Sequence, residues 1–236
     1  MSKSNTIEKL SLKQLLITII MGTGFTGTAG LSYFLSYYYS LYQEVTGFND
    51  AQIGTILSVL SASAFICYLV GGPLADLFHP KWNLLFAYTV SPTVALIFYM
   101  QSPLPNYTVM LIVQIVLAFT CLCPKWCSML KLIQISGTER QVGRMFGLYA
   151  AFGAAGTFLT GVIGSAIIAA NSPLAGFRIM VVLYSAILYV SAAALFFVVK
   201  ADKKLEKTNS FSLKAWAKLL ASPDQWLCWL VMIGPY

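Results

Sequence analysis

Charge is scarce in this chain: Asp, Glu, Lys and Arg make up 10% of its 236 residues, and only eight are acidic. A soluble globular domain carries about 25% charged residues, so that class is excluded. Histidine occurs once, at His79, which excludes a multi-histidine metal centre within these residues. No carboxylate falls in the middle of a long apolar run. Glu8, Glu44, Asp50, Asp76, Glu139, Asp202, Glu206 and Asp224 all stand at run ends, in loops or in a charged linker. A carboxylate proton relay inside the apolar segments is thereby excluded from this stretch. The five cysteines, Cys67, Cys121, Cys123, Cys127 and Cys228, all lie in apolar segments. They read as small buried hydrophobes and not as a disulfide framework.

What is abundant is apolar sequence, 58% of the chain. It is gathered into six runs: Leu15–Tyr39, Ile53–Leu74, Leu84–Met100, Val109–Ile133, Met145–Ala170 and Ile179–Val199. Each is close to or above the length of about 20 residues that crosses a hydrocarbon core as a helix. Basic residues then divide unevenly between the connecting segments. Of fifteen Lys and Arg, Arg178 alone belongs to one face and Lys125 lies well inside a run; the other thirteen, with Lys131 at the soft edge of run four, fall on the opposite face. By the positive-inside rule that basic face is cytoplasmic, and it holds both the N-terminus and the segment after run six. The net charge of +7 is accounted for by these loops facing anionic lipid, so no nucleic-acid partner is implied. Run one is too long for a signal-peptide core and lacks a cleavage site.

The expected organisation is an all-α, six-helix membrane bundle over residues 1–199. A charged cytoplasmic linker, 200–222, follows. Within it, Phe211, Leu213, Trp216, Leu219 and Leu220 fall mostly on one helical side, with Lys214 and Lys218 opposite, as in a helix lying on a membrane surface. A seventh apolar run begins in 223–236 and reaches about half a span, which reads as the start of a second bundle. Two runs are interrupted. Run one contains Gly22, Gly24, Gly27 and Gly30 interleaved with Thr23, Thr26 and Thr28, and run four contains Pro124 beside Lys125. These are the first helices of two three-span units, where interrupted segments point to a transporter's binding site. Close helix packing explains the glycines of run one equally well. Gly22–Gly27 also spells a dinucleotide-binding GxGxxG, but it lies within a membrane span and not between a strand and a helix.

Lys125 is the leading candidate functional residue. An ionisable group inside a span is costly and normally faces a wet cavity or a partner. Helical spacing puts Gln114, Ala118, Cys121, Lys125 and Ser128 on one side of run four, a polar stripe. The competing reading has Lys125 snorkelling to the cytoplasmic interface, about two turns away. Trp126 beside it, and Thr26, Tyr33 and Tyr37 on run one, are further cavity-lining candidates. Cys121, Cys123 and Cys127 do not converge as metal ligands, and no cofactor is implied. Asn106-Tyr-Thr108 is a glycosylation sequon whose closeness to a span makes it uninformative.

The segment Gly72-Pro-Leu74-Ala75-Asp76-Leu-Phe-His-Pro-Lys81 resembles the loop signature of the major facilitator superfamily, G-x-L-[AS]-D-[RK]-x-G-[RK]-[RK]. Gly72, Leu74, Ala75, Asp76 and Lys81 match; Leu77, His79 and Pro80 depart and remove two basic residues and a glycine. Gly143-Arg144-Met-Phe-Gly147 after Glu139-Arg140 looks like the family's entry into its fifth span. The G-P-x-x-G-G pattern of the family's antiporters is absent from run five, and Gln114 stands where a basic residue is usual. The resemblance covers essentially the whole chain as the N-terminal one of two six-helix bundles, each built of two inverted three-helix repeats. It implies secondary transport by alternating access, with Gly72, Asp76, Lys81 and Arg144 in conformational gating and Arg144 as the partner of Asp76. Lys125 favours a small organic anion (a sugar acid, organophosphate or carboxylate), with symport of H+ or Na+ as one coupling mode. A neutral sugar or amphiphilic substrate, or a non-transporting membrane protein on this fold, are the alternatives. No span presents a nucleophile–base pair, so enzymatic activity is not expected. The implied partners are the substrate, the lipid bilayer, a coupling ion and a second six-helix bundle.

Overall fold

A computed structural model describes residues 9–200, together with Ser222, Pro223 and Leu227. The surface helix expected in the linker and the seventh run fall outside the described residues. Among those described, every element is helical: α1 (Leu12–Ser32), α2 (Phe34–Tyr37), α3 (Tyr39–Thr46), α4 (Asp50–Leu77), α5 (Pro80–Tyr99), α6 (Tyr107–Leu122), α7 (Lys125–Ser136), α8 (Glu139–Ala170) and α9 (Pro173–Val198). Six segments are long and apolar enough to span a membrane, α6 and α7 together making the fourth.

Their starts are written in the sequence. Ser11 with Gln14 and Asn49 with Gln52 form capping boxes that satisfy the first free N–H groups of α1 and α4. Asn106 of the sequon caps α6, its Oδ1 accepting from Val109 N at 3.0 Å. Pro80 and Pro173 sit in the first turns of α5 and α9, where a missing N–H costs nothing.

The packing has an internal two-fold logic. Span one (α1) packs on spans five (α8) and six (α9), span four (α6 and α7) packs on spans two (α4) and three (α5), and spans three and six pack on each other. Exchanging the first three spans with the last three maps every one of these pairings onto another. That is the relation expected of two inverted three-helix repeats. Both leading spans are also discontinuous. Span four kinks where Pro124 cannot donate to the preceding turn. Span one does not break within its glycine segment, as its composition had suggested. Residues 12–32 are continuous helix, and the break comes at Tyr33 and again at Tyr38.

The glycines instead let α1 run through the middle of the bundle. In α1's membrane window 72% of residues are buried, against 17% for α8. A Cβ on Gly22 would stand 2.6 Å from Phe152 Cβ and 3.0 Å from the Gly153 nitrogen, and one on Gly27 would meet the Leu188 side chain at 2.7 Å. With lipid on the outside as apolar as a leucine, such close backbone approach is what holds membrane helices together. Gly22→Ala is therefore expected to destabilise the fold by about 1–3 kcal/mol, since the opposing atoms include rigid backbone. Gly54→Ala, where nothing lies within 4 Å, should leave the melting temperature unchanged or raise it, since alanine favours a helix over glycine by up to about 1 kcal/mol. Thermal melts of the two variants in one detergent check the contrast.

Candidate functional site

The Pro124 kink places Lys125 as the first residue of α7 and turns its side chain into the bundle. The residue is 2% exposed. Its ammonium donates to Thr28 Oγ1 at 2.7 Å and lies 4.7 Å from the ring centre of Phe25 and 5.9 Å from that of Trp126. Thr28 can accept this bond because its own hydroxyl proton goes to the Gly24 carbonyl at 2.9 Å. The two aromatic rings are braced in turn. Phe25 packs edge-on against Tyr149 of α8 at 6.1 Å, and Trp126 against Tyr68 of α4 at 6.2 Å. Five elements (α1, α4, α6, α7 and α8) thus converge around one cation; the α6 contribution is the buried Cys121 thiol, one turn from Lys125.

No carboxylate among the described residues pairs with Lys125; their one ion pair is Lys131–Asp76, at 2.9 Å. The bond from the ammonium to Thr28 is charge-assisted and worth about 1.5–3 kcal/mol, and each cation–π contact about 0.5–2. Removing an ammonium from water costs several kcal/mol even after relaxation. None of these partners carries a negative charge, so among the described residues the enclosed ammonium is solvated but not neutralised.

The remaining sequence candidates fall into three groups. Trp126 and Cys121 stay with Lys125. Gln114 and Ser128 are buried on the same stripe but serve the backbone and a neighbour. Gln114 Nε2 donates to the Ser32 carbonyl at 2.8 Å, an acceptor left free by the break at Tyr33, and Ser128 Oγ accepts from Asn83 at 2.9 Å. Thr26 faces the other way, its hydroxyl directed at the Gly22 carbonyl of its own helix and at the Gly153 carbonyl across the α1–α8 contact. Thr28, not Thr26, is the α1 threonine on Lys125. Two residues along a helix are about 200° apart, so the sequence offered both faces. Phe25 was also missed, because an aromatic in an apolar run carries no signal of its own. Tyr33 marks the break in span one. Tyr37, 48% exposed, lines a separate groove of about 400 Å³ with Tyr38, Thr157, Ser165 and Tyr184.

At the basic end, Asp76 pairs with Lys131 and not with Arg144, the partner expected from sequence. The Lys131 ammonium also accepts a place on the end of α4, donating to the Ala75 carbonyl at 2.8 Å. Arg144 is exposed. Lys81 is buried and donates to the Phe196 carbonyl at 3.0 Å in the last turn of α9, with its charge 4.7 Å from the Phe196 ring. Gly72 has nothing within 4 Å of where a Cβ would sit.

A family model for the Major Facilitator Superfamily matches residues 10–235. The chain belongs to the major facilitator superfamily. As a member it is a multi-pass integral membrane protein of a transporter family, and its six described spans form an N-terminal-type bundle of that superfamily. Among its relatives in the superfamily is Inner membrane protein YqcE of Escherichia coli (strain K12), 24% identical over 220 residues, which cover 89% of this chain and 51% of that protein. The chain thus spans about half the length of this superfamily relative.

The partner assignment at the basic end is open to a double-mutant cycle. Asp76→Asn and Lys131→Ala should be coupled by up to about 1 kcal/mol, as a partly exposed pair allows. Asp76→Asn and Arg144→Ala should be additive. Chemical denaturation of the four proteins in each cycle measures both.

Proposed function

We propose that the protein is a secondary active transporter that moves a small organic anion across the inner membrane by alternating access. The observation that carries this reading is the enclosed Lys125 ammonium without a carboxylate partner. A carboxylate or phosphate arriving there gains charge-assisted hydrogen bonds and relieves a buried cation. Phe25 and Trp126, each partly exposed, are the side chains that must move for a substrate to reach it. The working protein in this reading pairs the described bundle with a second six-helix bundle, and the basic end faces the cytoplasm. The length of YqcE relative to the matched region supports that pairing. Asp76 with Lys131, flanked by Gly72, Lys81 and Arg144, forms the conformational latch; Asp76→Asn that left both transport rate and conformational balance unchanged would remove this part.

A second reading has one observation in its favour. The groove beside Tyr37 is lined by Tyr37, Tyr38 and Tyr184 together with Thr157 and Ser165, and Tyr38 and Tyr184 share a hydrogen bond at 3.3 Å. Such a surface suits a neutral sugar or an amphiphilic compound.

A thermal-shift screen of the full-length protein separates the two. A ligand binding only the folded state raises stability by about 2.7 kcal/mol at one hundred times its dissociation constant. Gluconate, glucose 6-phosphate or succinate is expected to raise the melting temperature of the parent and not of Lys125→Ala. Stabilisation by neutral sugars alone, or equal shifts in both proteins, would overturn the anion reading.

A further inference from the structure

Two thiols from different spans meet beside the candidate site. Cys67 of α4 and Cys123, the residue that closes α6 at the kink, are hydrogen-bonded to each other. Both are enclosed, Cys67 completely and Cys123 to 7% exposure. Nothing in their spacing along the chain pairs them; the packing of α4 on α6 does.

The backbones around them come close enough for a covalent link. A disulfide needs Cα atoms about 4.4–6.8 Å apart and Cβ atoms about 3.5–4.5 Å apart. Gly71 lies one turn beyond Cys67 on the same face of α4. A Cβ on Gly71 would stand 2.6 Å from the Cys123 carbonyl oxygen, so α4 is in backbone contact with the residue that carries the second thiol. The Cys67 thiol is itself directed at the span-four backbone, 3.7 Å from the Ala118 carbonyl oxygen. The neighbouring cysteines are placed differently. Cys121, about 200° round the helix from Cys123, is hydrogen-bonded to Ser32 and Ser91. Cys127 stands beyond the kink and is less enclosed, its Sγ 3.4 Å from the same Gly71 position.

We propose that Cys67 and Cys123 are a peroxide-sensitive dithiol whose disulfide fastens α4 to the kink and holds Trp126 beside Lys125. The oxidant is hydrogen peroxide, which is small and uncharged and so enters an apolar contact that a charged oxidant does not. The Cys123 sulfur, the less enclosed of the pair, attacks one peroxide oxygen. The O–O bond breaks, an S–O bond forms, and the thiol proton leaves with the departing oxygen as water. The Cys67 sulfur then attacks the Cys123 sulfur. The S–O bond breaks, the S–S bond forms, and the departing oxygen takes the Cys67 proton as a second water. The two thiols together give up two electrons, and peroxide takes both. A small dithiol reductant reverses the step by thiol–disulfide exchange.

The consequence for the site follows from what stands next to each thiol. Tyr68, adjacent to Cys67, packs against Trp126, three residues beyond Cys123, at 6.2 Å between ring centres. Trp126 is 5.9 Å from the ammonium and is one of the two rings that must move before a substrate reaches Lys125. Joining positions 67 and 123 restricts how far α4 and the kink can separate, and with it the opening of the Tyr68–Trp126 contact. Intracellular thiols are held reduced, and the disulfides that form there are characteristically transient and sensing. The dithiol is then the working form and the disulfide the stalled one. This functional consequence rests on the transport reading above; the disulfide itself does not.

The full-length protein in lipid nanodiscs, treated with hydrogen peroxide or with dithiothreitol, tests the lock. Non-reducing peptide mapping of the oxidised parent is expected to find Cys67 joined to Cys123. Amide hydrogen exchange over residues 124–131 is expected to slow about tenfold on oxidation, as local opening at the kink is suppressed. Both effects reverse with dithiothreitol; Cys67→Ala abolishes them and Cys127→Ala keeps them. Gluconate is expected to raise the melting temperature of the reduced parent and of peroxide-treated Cys67→Ala, and not of the oxidised parent. Thiols that stay unlinked, or a link between other cysteines, would overturn the proposal. So would a disulfide between 67 and 123 that leaves exchange unchanged, or an oxidised parent that gluconate still stabilises. The expected link and slowed exchange, in a protein that no anion stabilises even when reduced, would remove the anion reading and leave the lock standing.

Discussion

Helix α1 can occupy the centre of the bundle only because its contact positions carry no side chain. Gly22 meets α8, Gly24 meets Tyr88 of α5, and Gly27 and Gly30 meet Leu188 and Tyr184 of α9. The other spans are arranged around a rod narrowed on several sides. That arrangement brings Thr28 within reach of α7 and presses Phe25 toward Tyr149. The candidate site is a consequence of how near the backbones can come.

The electrostatics follow from the same closeness. Lys125 enters the interior at a proline kink, where α4 also approaches tightly: a Cβ on Gly71 would stand 2.6 Å from the Cys123 carbonyl. The kink gives the lysine side chain an inward course, and the enclosure removes bulk water from its charge. Neutral partners then accommodate the ammonium without cancelling it. Gln114, which stood out in the sequence as a polar member of the same stripe, has a structural task on α1's freed end.

The spans, their alternating direction and the position of the kink in run four were legible because each depends on a local property: apolar length, basic loops, a proline. The break in run one was not. Tyr33 sits in a run of aromatic and small residues with no helix-breaking residue, and its neighbour's carbonyl is satisfied by Gln114, 82 residues away. The glycines gave a false position for that break, because a helix tolerates glycine when a neighbouring backbone fills the space. Lys125 announced itself through the cost of a charge in an apolar run. Its partner Thr28 did not, since Thr26 has the same chemistry two positions earlier. Likewise Lys131 and Arg144 are both basic and both at the end where Asp76 lies. Only the packing of α4 on α7 selects Lys131.

Two lysines at the basic end are joined to the carbonyl ends of helices from which they do not come: Lys131 to Ala75 of α4, and Lys81 to Phe196 of α9. A helix carries partial negative charge at this end, so each contact is favourable beyond its hydrogen bond. Both lysines also lie at the basic end of the bundle, the end that the positive-inside rule expects to be retained when a chain enters a bilayer. On that expectation one set of side chains serves as an address during synthesis and as rivets afterwards, and neutralising either lysine would loosen a fastened helix end as well as weaken the cue.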